Sequence, residues 1–309
     1  MKKALFLTLG LGAVLGLASC SDDQNKSTMT YDVQSYNLVT SIDGSKDPVV
    51  AYSRYKFDFD MMNTTATVGT DITGLGSNVS FVTGSIPYTG GFYYGEDGGL
   101  RELIKMESFK QGSIYNMEVQ LFSPYSTNAF PANVAPEVIG APKISMPAMG
   151  RYLVMNYQSG DNTKVRTFWP DVTFCGTTTT TYQWEGAVKQ FSNKDMKYRV
   201  VMDLQNKKAT VVFYDAKFAE EMPMSISAIE LANLDLTFTQ NGYTIEGKNV
   251  TPSTYEGDTK VPNTSYVFDN FSLVTVGELT STTINYEVAG KYNGRFEGSY
   301  IAKPRADQQ

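Results

Sequence analysis

The sequence predicts an all-β protein built as two tandem antiparallel modules, each a β-barrel or a β-sandwich, with little helix. Three observations carry this. The chain of 309 residues holds 20 Tyr and 17 Phe beside abundant Thr, residue types that suit a pleated, half-buried surface. Residues 55–68 align without gaps on residues 198–211, with Tyr55, Asp60, Asn63, Ala66, Thr67 and Val68 recurring as Tyr198, Asp203, Asn206, Ala209, Thr210 and Val211. That period is far too long for a solenoid unit and reads as a duplicated module. Finally, Asn241-Gly242 and Asn293-Gly294 stand between apolar runs, the strongest short hairpin signal.

Taken in order, the chain opens with Lys2 and Lys3, then an apolar run over residues 4–17 ending Leu17-Ala18-Ser19-Cys20. A bilayer span needs about 20 apolar residues, so this run is a secretory signal rather than a transmembrane helix. The terminal four residues resemble the lipobox of bacterial lipoproteins. That resemblance implies removal of residues 1–19, a diacylglycerol on the Cys20 sulfur and an acyl chain such as palmitate on its amine. Asp22-Asp23 just beyond resembles the Bacteroidota signal that directs a lipoprotein to the outer face of the outer membrane. Residues 20–30 are then an acylated tether, nearly devoid of apolar side chains, and the membrane is the first expected partner.

Residues 31–122 form the expected first module. Its repeat segment reads as a hairpin with Asn63 at a left-handed turn position, and Asn206 is its counterpart in the second copy. A second echo sets residues 85–92 beside residues 235–243, with turns expected at Gly90-Gly91 and Asn241-Gly242. The i, i+3, i+4 spacing over residues 100–109 predicts one short helix. Residues 123–150 hold Pro124, Pro131, Pro136, Pro142 and Pro147, five of the chain's 12 prolines, and read as a linker. Residues 151–309 are the expected second module, rich in strand-length runs, with a helical turn over 216–222 stopped by Pro223. Hairpin order, and the closing pair of residues 284–288 and 295–301, resemble the calycin-like, lipocalin-type barrels common among Bacteroidota lipoproteins.

The chemistry is bounded by absences. With no His the chain has no Ser-His-Asp or Cys-His couple and no His metal ligand. Net charge is −6, which argues against nucleic acid. If Cys20 is acylated, Cys175 has no disulfide partner, and with no basic neighbour it reads as a buried, inert thiol. Asp58 and Asp60 share one strand face, but the repeat keeps only Asp60, as Asp203, and puts Val201 at the other position. Glu220, Glu221 and Asp269 show no partner in sequence. No catalytic residue, metal site or cofactor is therefore expected. The residues best suited to binding are aromatic: Tyr93 and Tyr94, Phe168 and Trp169, and Tyr182 with Trp184, since sugar rings stack on flat side chains. The leading expectation is a non-catalytic, surface-exposed envelope lipoprotein that binds a glycan or a small apolar ligand. A structural or adhesin-type protein is the alternative, and a carboxylate-dependent glycosidase the third. The sequence identifies no envelope protein partner.

Overall fold

The computed structural model describes residues 28–60, 62–72, 81–94, 100–111, 114–122, 152–159, 162–257, 259–276 and 281–300. They form two antiparallel sheets, each hydrogen-bonded into a ring. The first comprises β1 (Thr28–Ser41), β2 (Val49–Asp60), β3 (Thr65–Ile72), β4 (Phe81–Val82), β5 (Ile86–Tyr94), β6 (Leu100–Gln111), β7 (Ile114–Phe122), β8 (Tyr152–Ser159) and β9 (Thr163–Phe168). The second comprises β10 (Asp171–Trp184), β11 (Ala187–Asn193), β12 (Lys197–Asp203), β13 (Lys208–Ala216), β14 (Ile226–Thr239) and β15 (Gly242–Val250). It continues with β16 (Ser253–Glu256), β17 (Thr259–Pro262), β18 (Phe268–Val276), β19 (Ser281–Val288) and β20 (Tyr292–Tyr300).

Each ring has eight strands in up-and-down order and closes its first strand on its last. In the first ring β1 lies between β2 and β9; in the second β10 lies between β12 and β20. The architecture is thus all-β with two tandem calycin-like modules. The repeated segment is the hairpin β2–β3 in one and β12–β13 in the other. The alternation in β2 shows why these residues form strands. Ala51, Ser53, Tyr55, Phe57 and Phe59 are buried while Tyr52, Arg54 and Lys56 face out, the period-2 pattern of a wall with one wet face.

The two hairpin turns are built alike. The Asp60 carboxylate accepts from the Asn63 backbone N–H (3.1 Å) and side-chain amide (2.7 Å). Asp203 does the same with Asn206, at 3.1 and 2.6 Å. The left-handed residues are Thr64 (φ 54°) and Lys207 (φ 52°), so the two Asn occupy their positions as donors to Asp and not for a positive φ. Asp58 is committed as well, accepting from the Thr30 hydroxyl at 2.5 Å and pairing with Lys56 at 3.0 Å.

Several expectations are corrected. β8 and β9, expected to open the second module, pair with β7 and β1 of the first ring. The boundary between the modules therefore falls at 169–170 rather than at 151, and the first strand already runs at Thr28, inside the expected tether. Residues 100–109 lie in strand β6, where ladders to β5 and β7 on both sides override the local helical spacing. Residues 216–222 contain turns and no helix. Gly90-Gly91 sits inside β5 opposite Ile104 and Leu103, so the second echo is not a repeated hairpin; Asn241-Gly242 does turn β14 into β15, but Asn293-Gly294 lies inside β20 opposite Glu287 and Tyr286, the turn falling instead at 289–291. Residues 1–27 and 123–151, with Cys20 and the Pro-rich segment, lie outside the described residues.

The two barrels pack on one another. Leu38 of β1 and Phe168 of β9 point away from their own barrel and belong to the core cluster of the second. The Phe168 ring lies 5.4 Å from Phe238 and 6.3 Å from Tyr243. At the margin Arg166 Nη2 donates to the Gln240 carbonyl (2.7 Å), and Gln240 Nε2 donates to the Lys46 carbonyl (2.6 Å).

Candidate functional site: a polar groove on the outer wall of the second barrel

A ligand site in a small barrel is either inside it or on its wall, and the lumen of the second barrel is full. Tyr198, Phe213, Phe268, Leu273, Ile284 and Phe296 are all 0% exposed, so not even a water-sized void touches them. Phe213 alone lies 4.8–6.1 Å from the rings of Tyr198, Phe268, Phe271 and Tyr286, which is close-packed aromatic geometry. Glycine makes room for these rings. A Cβ on Gly294 would sit 2.0 Å from Tyr286 Cζ. The mouth is stoppered by the β13–β14 connection, which inserts Phe218 among Tyr266, Phe268, Tyr286 and Tyr292.

The five consecutive Thr of β10 divide by parity. Thr178 and Thr180, each 1% exposed, face the lumen, where the Thr178 hydroxyl shares a 2.7 Å hydrogen bond with Tyr198 OH. Thr177, Thr179 and Thr181 face outward. There the wall carries a groove of about 740 Å³, a size usual for ligand sites.

Register builds this groove. Gln190, Thr181, Asn293, Glu287, Asn270 and Lys248 are successive cross-strand partners from β11 through β10, β20, β19 and β18 to β15. One level along the strands, Thr179, Arg295, Asn285, Ser272 and Glu246 form a second such row. All eleven line the groove. The lining therefore spans six strands, with two outward residues on each of the five that belong to the ring.

The lining is amide, hydroxyl and charge. Some groups are engaged by neighbours. Arg295 Nη2 donates to Glu297 Oε1 at 2.6 Å, and Asn270 Nδ2 to Glu287 Oε2 at 3.1 Å. The two buried rings at its floor, Phe271 and Tyr286, are 3% and 4% exposed and offer no stacking face. Among the described residues no group of three or more His, Cys, Asp or Glu stands in metal-holding range.

Of the aromatic residues singled out in the sequence, none whose side chain is described lines this groove. Tyr182 and Trp184 share β10 with Thr179 and Thr181 but have the opposite parity. Tyr182 is 2% exposed. Its hydroxyl donates to Glu221 Oε2 at 2.6 Å, while Lys189 Nζ meets Glu221 Oε1 at 2.5 Å. Glu221, partnerless in the sequence, thus latches the mouth connection, and the Lys189 ammonium followed by the Tyr182 hydroxyl brings its carboxyl down to about 2. Asp269 is engaged too, accepting from the Gly290 N–H at 2.7 Å. Trp184 is partly buried at the same mouth, with Lys291 Nζ 5.3 Å from its ring centroid. Trp169 is half-buried against the core, and Phe168, 2% exposed, is spent on the interface between barrels. Tyr93 and Tyr94 lie on β5, their side chains outside the described residues. Cys175 is half-buried, and burial pushes its thiol up.

No family model and no curated protein matches the chain. Among solved structures it is similar to transferrin-binding protein B of Haemophilus parasuis, at 10% identity and a TM-score of 0.26, over 91% of this chain and 77% of that one. Transferrin-binding protein B of Neisseria meningitidis gives 9% identity and a TM-score of 0.25, over 88% and 76%. A protein of unknown function from Nostoc punctiforme gives 10% and 0.21, over 88% and 95%. Overlaps this loose bear on neither ligand nor role.

Proposed function

We propose that the protein is a non-catalytic lipoprotein, anchored through Cys20 to the outer membrane and exposed at the cell surface, that binds a glycan in the outer groove of its second barrel. The observation that carries this is the pair of cross-strand polar rows lining about 740 Å³. A polyhydroxyl ligand needs many donors and acceptors on a wettable surface, and amides, hydroxyls and charges supply them. The filled lumen of the second barrel weighs against a small apolar ligand there. Of the two carboxylates in the lining, Glu287 is engaged by Asn270, which weighs against a free acid–base pair.

The test is a glycan array probed with the full-length protein in detergent, with release of reducing ends from any bound glycan followed in parallel. Binding to a glycan without its cleavage is expected. A blank array moves the protein to the structural or adhesin class, and cleavage makes it a glycosidase. Mass spectrometry of the mature N-terminus tests the anchor: a diacylglyceryl-modified Cys20 is expected, and an unmodified Cys20 contradicts it.

A further inference from the structure

We infer that β11 is a dimerisation edge: two copies of the chain pair their β11 strands antiparallel about a twofold axis at Gln190, joining their second barrels through one continuous sheet. β11 is the strand that stands outside the ring. It pairs with β10 on one side, and among the described residues no strand or loop backbone bonds to its other side. β11 and β12 run in line along the same edge of β10, separated by a turn in which the Asn193 side-chain oxygen accepts from the Asp195 and Met196 N–H groups at 2.8 and 3.3 Å. β13 covers β12 only as far as Tyr214, opposite Lys197. The chain then turns into the mouth connection and leaves β11 uncovered.

The outward groups on this edge follow from the turn. Trp184 and Ala187 flank Glu185 (φ 49°) and Gly186 (φ 81°), a two-residue turn of type I′, so that pair exchanges both ladder bonds. Bonded and non-bonded pairs alternate from there. Ala187, Lys189, Phe191 and Asn193 therefore bond to β10, while Val188, Gln190 and Ser192 direct their N–H and C=O groups away from it. All three are exposed, Val188 to 70%. The usual defences of an edge are missing. Residues 187–193 contain no Pro, and the charge of Lys189 is met by Glu221 of its own chain.

A second copy is the occupant that fits. With Gln190 facing Gln190 of the second copy, Val188 faces its Ser192, and Ser192 its Val188. Every outward N–H and C=O of both strands is then bonded, and a shift to either side leaves some unpaired. Charge agrees with the antiparallel sense. Glu185, Glu220 and Glu221 stand around the start of β11 against Lys189 and Lys291. Lys194, Lys197 and Lys217 stand around its end against Asp195. The start is therefore net acidic and the end net basic, and the twofold axis sets each start beside the other copy's end. Pairing itself needs no glycan. Its consequence for the groove does rest on the glycan reading: Gln190 ends the lining, so two walls are held side by side and a repetitive ligand gains avidity.

The experiment is sedimentation of the full-length protein in detergent, with mild-oxidation cross-linking of variants that each carry one added cysteine. A concentration-dependent dimer that dissociates near about 10 µM is expected from so small a contact. Facing residues in a bonded pair have Cα atoms about 5.5 Å apart, within disulfide reach. Gln190→Cys should therefore cross-link with itself. Val188→Cys and Ser192→Cys should each fail alone, being roughly 13 Å out of step, and should cross-link when mixed. The unsubstituted protein, with Cys20 and Cys175, sets the background. Val188→Lys with Ser192→Lys places like charges opposite each other and should weaken the dimer roughly tenfold with the monomer's thermal stability unchanged. A protein still monomeric at about 100 µM overturns the inference and leaves the edge to an extended segment of another protein. Val188→Cys cross-linking alone as readily as Gln190→Cys, or a dimer indifferent to the two lysines, overturns it as well.

Discussion

The two barrels have the same eight-strand order, yet they are closed and filled differently. At the seam between the third strand and its next neighbour in the ring, the second barrel zips β13 to β14 from Lys208 to Ala216, with one irregularity between Ala209 and Val211. Among the described residues, the first closes β3 on β5 only where Thr65 faces Pro87 and Ala66 faces Ile86. The interiors diverge along the repeat. Tyr55 and Tyr198 occupy equivalent places and each finds an inward partner on the first strand of its ring at 2.7 Å, Asn37 for one and Thr178 for the other. Around that shared pair, the first barrel has Ser53 and Thr70 where the second has Met196 and Phe213. The first barrel's described lumen is thus partly polar, with Asn37, Ser53 and Thr70 all buried. That of the second is packed with rings. One ring topology tolerates either filling, and among the described residues the groove lies on the wall of the barrel with the sealed lumen.

The sharpest way to break this comparison is to remove the filling. Phe213→Ala should destabilise the second barrel by about 3–5 kcal/mol, read by urea denaturation, while its counterpart Thr70→Ala should cost about 1 kcal/mol or less. Equal losses would mean the two lumens are not packed differently. The shared Tyr separates them next. Tyr55→Phe takes the donor from the buried Asn37 side-chain oxygen and should cost about 1–3 kcal/mol, whereas Tyr198→Phe leaves a rotatable Thr178 hydroxyl and should cost about 1 kcal/mol.

A pH effect is expected at the second barrel's mouth. The Lys189 and Tyr182 partners depress the Glu221 carboxyl to about 2. A depressed carboxylate contributes fully above its unfolded value of about 4.3, and that contribution is lost as pH falls through the folded value near 2. Glu221→Gln should therefore lower thermal stability at pH 7, and its deficit relative to the unsubstituted protein should shrink between pH 4.5 and 2. A deficit constant across that window would show that the latch is not ionic. The smallest effects should be alike in both barrels. Asp60→Ala and Asp203→Ala each remove a carboxylate held down by its Asn partner, so melting temperature should fall slightly and by similar amounts.

The fold class, the duplicated hairpin and the Asn241-Gly242 turn were legible because each is written within a few neighbouring residues. Ring closure was not. β9 returns to β1 across more than a hundred positions, and no local pattern marks that pairing, so the Pro-rich segment looked like a module boundary. The groove was hidden for a related reason. Its rows are assembled by register from six strands, and only the i, i+2 pairs such as Thr179 and Thr181 adjoin in sequence. Parity along the Thr run was the available signal, since alternate hydroxyls must face opposite sides of the wall. The aromatic residues misled because a ring that packs a barrel and a ring that stacks a sugar look the same in sequence; Phe168 and Tyr182 pack.

The central claim is that the outer wall of the second barrel, and not a lumen, holds the ligand. The direct test is calorimetric titration of Ser272→Trp and of Phe213→Leu with whichever glycan the array identifies. Ser272→Trp should lose roughly tenfold or more in affinity at unchanged melting temperature, and Phe213→Leu should bind normally while melting earlier. Unchanged affinity in Ser272→Trp, or a loss confined to the lumen variant, would contradict it.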